Sequence, residues 1–425
     1  MKCDAVRVAV RIRPLMPMEK VQRQEECTAV VPGTAQIAVG SQEDKRFTFD
    51  FAFGTDSPQR AIYEECVTPL LEAFFEGFNA TILAYGQTGS GKTYTMGSSS
   101  SARLPQEEQG ILPRVITSMF DLIREGGRQG RGAAAGGEEG GAGGGGGGGG
   151  IVAYAVRCQF LEIYGEDIND LLDPTGSQVV IREGQGGDVY VHGAREEPVR
   201  DAEEMLMLLE RGSLCRTTGS TLMNAHSSRR SHPHPGSSML QTKRGWQFDQ
   251  VPTGLQSNLD FVADFRAEAG TDDLEIRKSK FHFVDLAGSE RAKRTGAEGQ
   301  RFREGIEINK GLLTLGNVIS ALGDEAKRGK VHVPYRDSKL TRMLQDSLGG
   351  NSQTLMICCV SPAEVNMHET ISALRYANRA RNIQNKPIVN RDHNSTIIAE
   401  LKAQIQYSTY TGLVCCRPQC SVHHD

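Results

Sequence analysis

The sequence contains no long apolar run. None of its 425 residues lies in an uninterrupted apolar stretch of the roughly 18 residues that a membrane-spanning helix needs, so we expect no membrane partner. Arginines interrupt the apolar residues of MKCDAVRVAVRIRPL, which argues against a signal peptide and for a cytoplasmic protein. A large charge excess is also lacking, because 48 basic and 52 acidic side chains give a net charge of −4. This balance excludes a strongly basic nucleic-acid coat but not local basic patches.

Closely spaced cysteines are few. Five of the ten stand singly, as Cys27 and Cys66 do, and such spacing is typical of reduced thiols in the cytosol. The others are the adjacent pair in LMICCV and three in the terminal sequence CCRPQCSVHHD, which lacks the spacing of a structural zinc site.

Glycine, in contrast, is abundant, with 48 residues, many of them between Gly126 and Gly150. This stretch has almost no apolar side chain to bury and therefore predicts a disordered insertion loop at 126–150.

Outside that loop, strand and helix patterns alternate along the chain. Alternating or continuous apolar residues predict strands at 5–14, 47–53, 80–85, 151–164, 279–284 and 355–360. Helical spacing predicts helices at 59–77, 111–124, 202–213, 301–323, 335–348 and 366–382. The alternation indicates an α/β fold in which helices flank a mostly buried central β-sheet.

A phosphate-binding motif follows the apolar strand ATILAY. Residues 86–93 read GQTGSGKT, which matches G-x-x-x-x-G-K-[ST] in the strand–loop–helix context that the motif requires. The motif predicts that its backbone N–H groups surround phosphates, that Lys92 neutralises the β- and γ-phosphates and that Thr93 ligates Mg²⁺. It consists of Gly86, Gln87, Thr88, Gly89, Ser90, Gly91, Lys92 and Thr93. By itself it indicates only a nucleoside triphosphate.

Five further segments narrow the choice. They read RIRP at 11–14, LEIYGEDINDLLDP at 161–174, NAHSSRRSH at 224–232, DLAGSE at 285–290 and VPYRDSKLTRMLQDSLGGN at 333–351. Together and in this order they closely resemble the kinesin motor domain, over about residues 5–392. The stretch 279–398 is most similar to the chromokinesin-related branch.

The resemblance implies a P-loop NTPase-type three-layer fold that hydrolyses ATP with Mg²⁺ and moves along microtubules. It implies a motor domain at 1–385, a neck-linker-like segment at 386–392 and a short helical start with an irregular tail at 393–425. The apolar spacing after residue 392 is too short for a coiled coil, so we expect a monomer.

Residues 224–232 and 285–290 resemble switch I and switch II of the family, and the resemblance also implies roles for individual residues. Those expected at the adenine are Arg11, Arg13 and Pro14, with Tyr94 stacked on the base. Gly288 would reach the γ-phosphate, and Ser228 and Asp285 would join Thr93 around Mg²⁺. Ser227 would place the attacking water, Glu290 would accept its proton through a second water, and Arg229 would pair with Glu290.

The expected track is the acidic surface of tubulin. In the family the matching basic regions face the microtubule, and here they contain Lys293, Arg294, Arg336, Lys339 and Arg342. Nucleic acid is the competing partner for such patches, but no aromatic residues are interleaved in a stacking pattern, so we expect none.

Two departures from the family pattern leave an alternative open. The first is an extra arginine in NAHSSRRSH, and the second is that PHPGSSMLQTKRGWQFDQVPTG stands where an alternating strand should follow His232. An altered exon at about 230–260 is one explanation. The alternative function is a microtubule-binding protein impaired in hydrolysis, while an unrelated P-loop enzyme such as a nucleotide kinase lacks any segment suited to an acceptor pocket.

Overall fold

The fold is taken from a computed structural model, which describes residues 4–40, 45–98, 104–135, 151–176, 178–184, 189–227, 256–269, 273–290, 300–324 and 331–391. The first strands are β1 Asp4–Ala5, β2 Arg7–Ile12, β3 Thr28–Val30, β4 Gln36–Val39, β5 Lys45–Thr48, β6 Phe51–Phe53, β7 Ala80–Tyr85 and β8 Ile151–Tyr164. The others are β9 Asp167–Asp170, β10 Val180–Glu183, β11 Val189–His192, β12 Glu197–Val199, β13 Gln256–Ala269, β14 Asp273–Asp285, β15 Gln353–Val360 and β16 Gln384–Asn385.

The helices alternate with these strands. They are α1 Pro17–Val21, α2 Gln59–Ile62, α3 Thr68–Phe75, α4 Lys92–Met96, α5 Ile111–Ala135, α6 Ala202–Ser227, α7 Gln300–Gly323, α8 Lys339–Met343 and α9 Met367–Ala380. A π-helical turn, Tyr63–Val67, joins α2 to α3, and short 3₁₀ turns occupy Tyr335–Asp337 and Glu364–Asn366. None of the helices in the described ranges is long and apolar enough to cross a membrane.

A large mixed sheet forms the middle layer. Within the described residues its strand order is β12-β8-β13-β14-β7-β15-β2-β6, and β9 pairs with β8. The strands from β14 to β6 run parallel, while β12, β8, β13 and β14 pair antiparallel. Every residue of β7 is buried, as expected for a central parallel strand covered on both faces.

Alternation along the strands divides the core between the two faces of the sheet. Phe283 packs in one cluster with side chains of α3 and α5, and the next residue, Val284, packs in the other with side chains of α7 and α9. The helical contributors include Leu70, Phe74, Ile116 and Met119 on the first face, and Leu315, Val318, Leu374 and Ala377 on the second. This is the three-layer α/β arrangement that the sequence predicted.

The strand that was expected directly after His232 lies farther along the chain. Strand β13 begins at Gln256 and is hydrogen-bonded to β8 on one side and to β14 on the other. The position in the sheet is therefore filled, and the interpretation that the strand was missing was wrong. The intervening residues 228–255 lie outside the described part of the chain.

Other boundaries also differ from the sequence predictions. The alternating run at 47–53 is two strands in different sheets, because Asp50 Oδ2 accepts from Val8 N at 2.8 Å and turns the chain between them. Helix α5 continues to Ala135, past the expected start of the Gly-rich loop, whose residues 136–150 lie outside the described ranges. The helix expected over 335–348 is only the short α8 after a 3₁₀ turn.

Candidate functional site

The candidate site lies at the carboxyl ends of the parallel strands, where α/β sheets bind ligands. The 86–91 loop leaves β7 there, Asp285 ends β14, and Arg13 follows β2. The loop and the DLAGSE segment are joined by a backbone bond from Ser289 N to Gly86 O at 3.1 Å. Residues that are almost 200 positions apart are thus brought together at one edge of the sheet.

Glycine is required where the loop leaves the sheet. Gly86 has φ +146°, and a Cβ there would lie 2.1 Å from Cys359 O. Gly91, with φ +98°, precedes α4 in a left-handed conformation that costs glycine little. The loop geometry therefore depends on its glycines, as the motif predicted.

Lys92 is buried beneath the loop, with 8% of its surface exposed. Its Nζ donates to Gly86 O at 2.9 Å and to Gln87 O at 3.0 Å. Burial lowers the pKa of Lys92, and the nearby Asp285 carboxylate opposes that shift. Ser90 Oγ is also buried and has no hydrogen-bond partner among the described residues. A phosphate would supply acceptors for both groups, so the loop fits such a ligand.

Thr93 and Asp285 meet beside the loop. Thr93 Oγ1 donates to Asp285 Oδ2 at 2.8 Å, and Ser98 Oγ donates to the same oxygen at 3.1 Å. The other carboxylate oxygen, Oδ1, is buried and lacks a hydrogen-bond partner within the part of the chain that the structure describes. Hydroxyl and carboxylate oxygens are the ligands that Mg²⁺ prefers, so these residues fit the predicted magnesium ion.

Glu290 contacts the phosphate-binding loop itself. Its Oε2 accepts from Thr88 N at 2.8 Å, and its Oε1 accepts from the Thr88 hydroxyl. Gly288 passes directly under this contact, because a Cβ on it would lie 2.2 Å from Thr88 Oγ1 and 2.3 Å from Glu290 Oε2. Gly288 therefore lies beside this contact, and a side chain on it would displace the Thr88 hydroxyl and the Glu290 carboxylate.

Tyr94 and Arg11 form a ring-and-cation pair at one end of the site. The Arg11 Cζ lies 5.2 Å from the centre of the Tyr94 ring, which is 50% exposed. Arg11 is buried, and its Nη1 donates to Gln59 Oε1 and Thr95 Oγ1, both at 2.8 Å. Burial lowers the pKa of Arg11. The exposed Tyr94 ring remains available for stacking, and Arg11 supports it from within the protein.

Arg13 supports the loop from the other side. Its Nε donates to Gly89 O at 2.6 Å, and its guanidinium forms a two-bonded ion pair with Glu19 at 2.6 and 2.7 Å. Hydrogen bonds to the Glu19 carboxylate, chiefly those from Arg13, lower the pKa of Glu19. Pro14 is exposed beside this pair. In this structure Arg13 holds the loop backbone, and its place at a base stays a prediction.

Comparison with known proteins then decides the family. The kinesin motor domain model matches residues 11–383. The chain belongs to the kinesin motor domain family.

Individual relatives agree with this assignment. The mouse (Mus musculus) kinesin-like protein KIF21B is 48% identical over 408 residues, covering 94% of this chain, and kinesin-like protein KIN-4A of cotton (Gossypium hirsutum) is 44% identical over 422 residues, covering 95%. The solved structure of a fast kinesin is 34% identical, with a TM-score of 0.72, and the match covers 92% of this chain and 94% of that one. The chain spans 23% of the KIF21B length and 37% of the KIN-4A length.

Of the residues that resemble switch I, 224–232, the structure describes those up to Ser227. Ser227 is the last residue of α6, and Ser228 and Arg229 lie outside the described residues. The predicted pair between Arg229 and Glu290 is therefore not described. The sequence predicted this helix only to residue 213, whereas α6 continues to the switch I motif.

The predicted track-binding residues that are described lie around α8. The Arg336 side chain is exposed and pairs with Glu183 Oε2 at 3.0 Å, and Lys339 N donates to Glu166 Oε2 at 3.0 Å. Arg342 is half-buried on the same helix. Lys293 and Arg294 lie outside the described ranges. Glu183 on β10 and Glu166, between β8 and β9, thus accompany the basic residues on this surface.

The neck-linker-like segment lies against the core up to Arg391, the last described residue. Asn390 N and Nδ2 both donate to Gly77 O, at 2.9 and 3.0 Å. Ile388 N donates to Asn351 Oδ1 at 2.8 Å. Strand β16, directly before the segment, pairs with β1.

Sequence reasoning missed four supporting residues of this kinesin site. They are Glu19, Gln59, Thr95 and Ser98. None of them belongs to a sequence motif from which its hydrogen-bond partner could be predicted. Only the tertiary contacts of Arg13, Arg11 and Asp285 identify them.

Proposed function

We propose that the chain is a microtubule-stimulated ATP hydrolase that couples γ-phosphate release to movement along microtubules. The observation that carries the proposal is the junction of the phosphate-binding loop with Asp285 and Glu290 at one sheet edge, in a member of the kinesin motor domain family. Members of this family are microtubule motors that hydrolyse ATP. The motor domain at 1–385, a Gly-rich loop that begins after α5, at 136–150, and the tail from 393 are the proposed organisation of the chain.

ATP would bind along the 86–93 loop. Backbone N–H groups from Gly86 to Gly91 would surround the phosphates, and Lys92 would exchange its two carbonyl acceptors for phosphate oxygens. Tyr94, supported by Arg11, would stack on the adenine. Because Lys92 is buried, its charge is little screened, so its attraction to a phosphate is strong.

Thr93 and Asp285 would hold Mg²⁺, together with Ser228. The ion, when bound, neutralises charge on the β- and γ-phosphates. Oδ1 of Asp285 is buried and has no hydrogen-bond partner within the described ranges. A bound ion would give this oxygen a partner, which supports the proposed role.

Ser227, Arg229 and Glu290 would carry the hydrolytic step. Glu290 would take the proton of the attacking water through a second water, and Gly288 would donate its N–H to the γ-phosphate. In the structure the Glu290 carboxylate is bound to Thr88, so it must leave Thr88 before it can pair with Arg229. This exchange of partners gives switch II two states, one joined to the loop and one available for catalysis.

Force would be transmitted through the segment 386–392. The hydrogen bonds of Ile388 to Asn351 and of Asn390 to Gly77 support a docked state of this segment. Movement of the switches on phosphate release would then change the stability of this docking.

Microtubules are the proposed partner, bound through the surface that carries Lys293, Arg294, Arg336, Lys339 and Arg342. Exposed charges are screened by salt, so binding should weaken as ionic strength rises. We propose a monomeric chain that is located on the cytoskeleton. The chromokinesin-related branch remains a narrower proposal, since the relatives named above are KIF21 and KIN-4 proteins.

A hydrolysis-impaired microtubule-binding protein remains the second candidate. The observation that favours it is the extra arginine beside Ser228 in NAHSSRRSH, since a misplacement of about 1 Å in an active site can cost about a hundredfold in rate. The other reason for this candidate was the lack of a strand pattern directly after His232, and the presence of β13 in the sheet removes that reason.

Steady-state ATPase activity with and without microtubules, at low salt, tests the proposal. Strong stimulation of the wild-type chain, together with none for Glu290→Ala, would establish the motor ATPase. A folded chain that binds microtubules without stimulated hydrolysis would support the second candidate. Deleting one arginine of the Arg229–Arg230 pair should then restore hydrolysis.

A further inference from the structure

Ser98 is a buried residue that contacts the candidate magnesium site but belongs to none of its motifs. It lies two residues beyond α4, and 2% of its surface is exposed. Its Oγ donates to Asp285 Oδ2, the oxygen that already accepts from Thr93 Oγ1. Oδ1 of the same carboxylate has no hydrogen-bond partner among the residues described. The two hydroxyls therefore determine which oxygen of Asp285 remains available.

The position of Ser98 is itself fixed from two sides. Ser213 Oγ, on α6, donates to Ser98 O at 2.7 Å, and Ser213 is buried. The preceding Gly97 has φ +73°, and a Cβ on it would lie 2.9 Å from both Gly110 Cα and Pro113 Cδ. Tight packing of this turn against the start of α5 leaves the Ser98 hydroxyl little freedom to move.

An aspartate carboxylate needs such a constraint to present one oxygen. Its terminal torsion is broad and nearly two-fold, so a single hydroxyl from Thr93 leaves the carboxylate free to rotate about that bond. A second donor on the same oxygen, from a residue whose backbone is also held by Ser213 on α6, restricts the rotation. Residues that orient metal ligands in this way commonly control metal affinity.

We propose that Ser98 is a positioning residue for magnesium: its hydroxyl holds Asp285 Oδ2 so that Oδ1 is presented to the ion. This inference rests on the proposed function, because it concerns the Mg²⁺ that accompanies the nucleotide. It adds a link between the magnesium site and α6, the helix that ends at Ser227, because Ser213 holds the backbone of Ser98.

The test compares wild type with Ser98→Ala, which removes the hydroxyl, and Ser98→Thr, which keeps it. The measurement is the release rate of a fluorescent ADP analogue as free Mg²⁺ is varied, without microtubules. We expect the Mg²⁺ concentration for half-maximal retention to rise roughly tenfold in Ser98→Ala and to return to within about twofold of wild type in Ser98→Thr. Release in excess EDTA should be the same in all three.

A half-maximal Mg²⁺ concentration within twofold of wild type in folded Ser98→Ala would overturn the inference. Faster release in EDTA as well would also overturn it, because that result indicates a general loosening of the loop. Ser98→Gly removes the same hydroxyl and replaces Ser98→Ala if the latter does not fold. If the folded wild-type chain binds no nucleotide, the proposed function fails and the inference fails with it. If the chain retains the ADP analogue in a Mg²⁺-dependent way that the Ser98 variants do not change, the inference alone is overturned.

Discussion

Glu290 binds Thr88 through both carboxylate oxygens, so that switch II and the phosphate-binding loop are joined directly. The contact uses a backbone N–H of the loop that nucleotide binding also needs. Glu290 therefore contacts the loop in this structure, and its proposed role on the attacking water requires it to leave Thr88. The bond from Ser289 N to Gly86 O keeps both within reach of the site.

Removal of the Glu290 carboxylate tests its proposed role in hydrolysis. We expect Glu290→Ala to lower microtubule-stimulated kcat by about 10²- to 10⁴-fold, because the proton of the attacking water loses its acceptor. Nucleotide affinity should not fall, since the proposed role of Glu290 is in the transition state and its removal leaves Thr88 N available to the nucleotide. The control is Glu64→Gln, which alters an exposed carboxylate paired with Arg60. Unchanged kcat in Glu290→Ala would assign the proton transfer elsewhere.

The buried Lys92 should be essential for binding the triphosphate. We expect Lys92→Ala to abolish tight ATP binding, because no other described cation is hydrogen-bonded to this loop's first carbonyls. Equilibrium titration with a fluorescent ATP analogue measures this, with Lys20→Ala, on the exposed side of α1, as the control. ATP affinity retained within about threefold would contradict the assignment of the phosphate site.

Gln59 and Arg11 support the Tyr94 residue that is proposed to stack on adenine. Replacing Gln59 should therefore weaken binding of the adenine base and leave binding of the phosphates unchanged. Gln59 Nε2 donates to Tyr94 O at 2.8 Å while its Oε1 accepts from Arg11. Hydrogen bonds to charged groups are worth about 1.5–3 kcal/mol, so Gln59→Leu should weaken ATP affinity roughly tenfold. Competition by tripolyphosphate, which lacks a base, should not change. Arg60→Gln, at the exposed neighbouring residue, should alter neither affinity, and equal losses for both ligands would point to general misfolding.

Gly212 should be indispensable for packing α6 on the sheet. A Cβ on it would lie 2.0 Å from Phe160 Cδ1, and Phe160 is 1% exposed. We expect Gly212→Ala to lower the free energy of unfolding by about 1–3 kcal/mol through overpacking, measured by urea denaturation. The matched control is Gly311→Ala on α7, where a Cβ would meet nothing within 4 Å. That variant should be neutral or stabilised by up to about 1 kcal/mol, and equal destabilisation of the two would exclude overpacking as the cause.

The buried Glu162 predicts a pH effect on stability. Burial raises the pKa of its carboxyl, against the opposing hydrogen bond from Asn169 and the charge of Arg216. Because the folded-state pKa lies above the unfolded value, the folded chain holds the proton more tightly, and this stabilisation is lost as pH rises from the ordinary glutamate pKa through the raised one. Glu162→Gln, which cannot ionise, should therefore gain in melting temperature relative to wild type as pH rises above the ordinary glutamate pKa. If the difference in melting temperature between Glu162→Gln and wild type does not change with pH, the Glu162 carboxyl is ionised to the same extent in the folded and the unfolded chain.

Much of the fold followed from local patterns. The continuous apolar runs of β7 and β15 could only be buried strands, and the helical spacing in α9 gave its bounds to within two residues. The strand at 256–269 was missed, because the proline-rich residues before it interrupted the pattern where the strand was expected. The division of 47–53 between two sheets depends on the distant bond from Val8 to Asp50, which no local pattern contains.

The sequence by itself determined the phosphate-binding loop, since glycine conformation and the adjoining lysine and threonine are local properties of GQTGSGKT. It also placed Asp285 at the end of a strand, and thus at the correct edge of the sheet. Only the tertiary structure decided that Arg13 holds Gly89, that Glu290 binds Thr88 and that Ser98 shares Asp285 with Thr93. The physical reason is that a side-chain hydrogen bond is specified by the positions of two atoms in space, which strand order and register determine and sequence spacing does not.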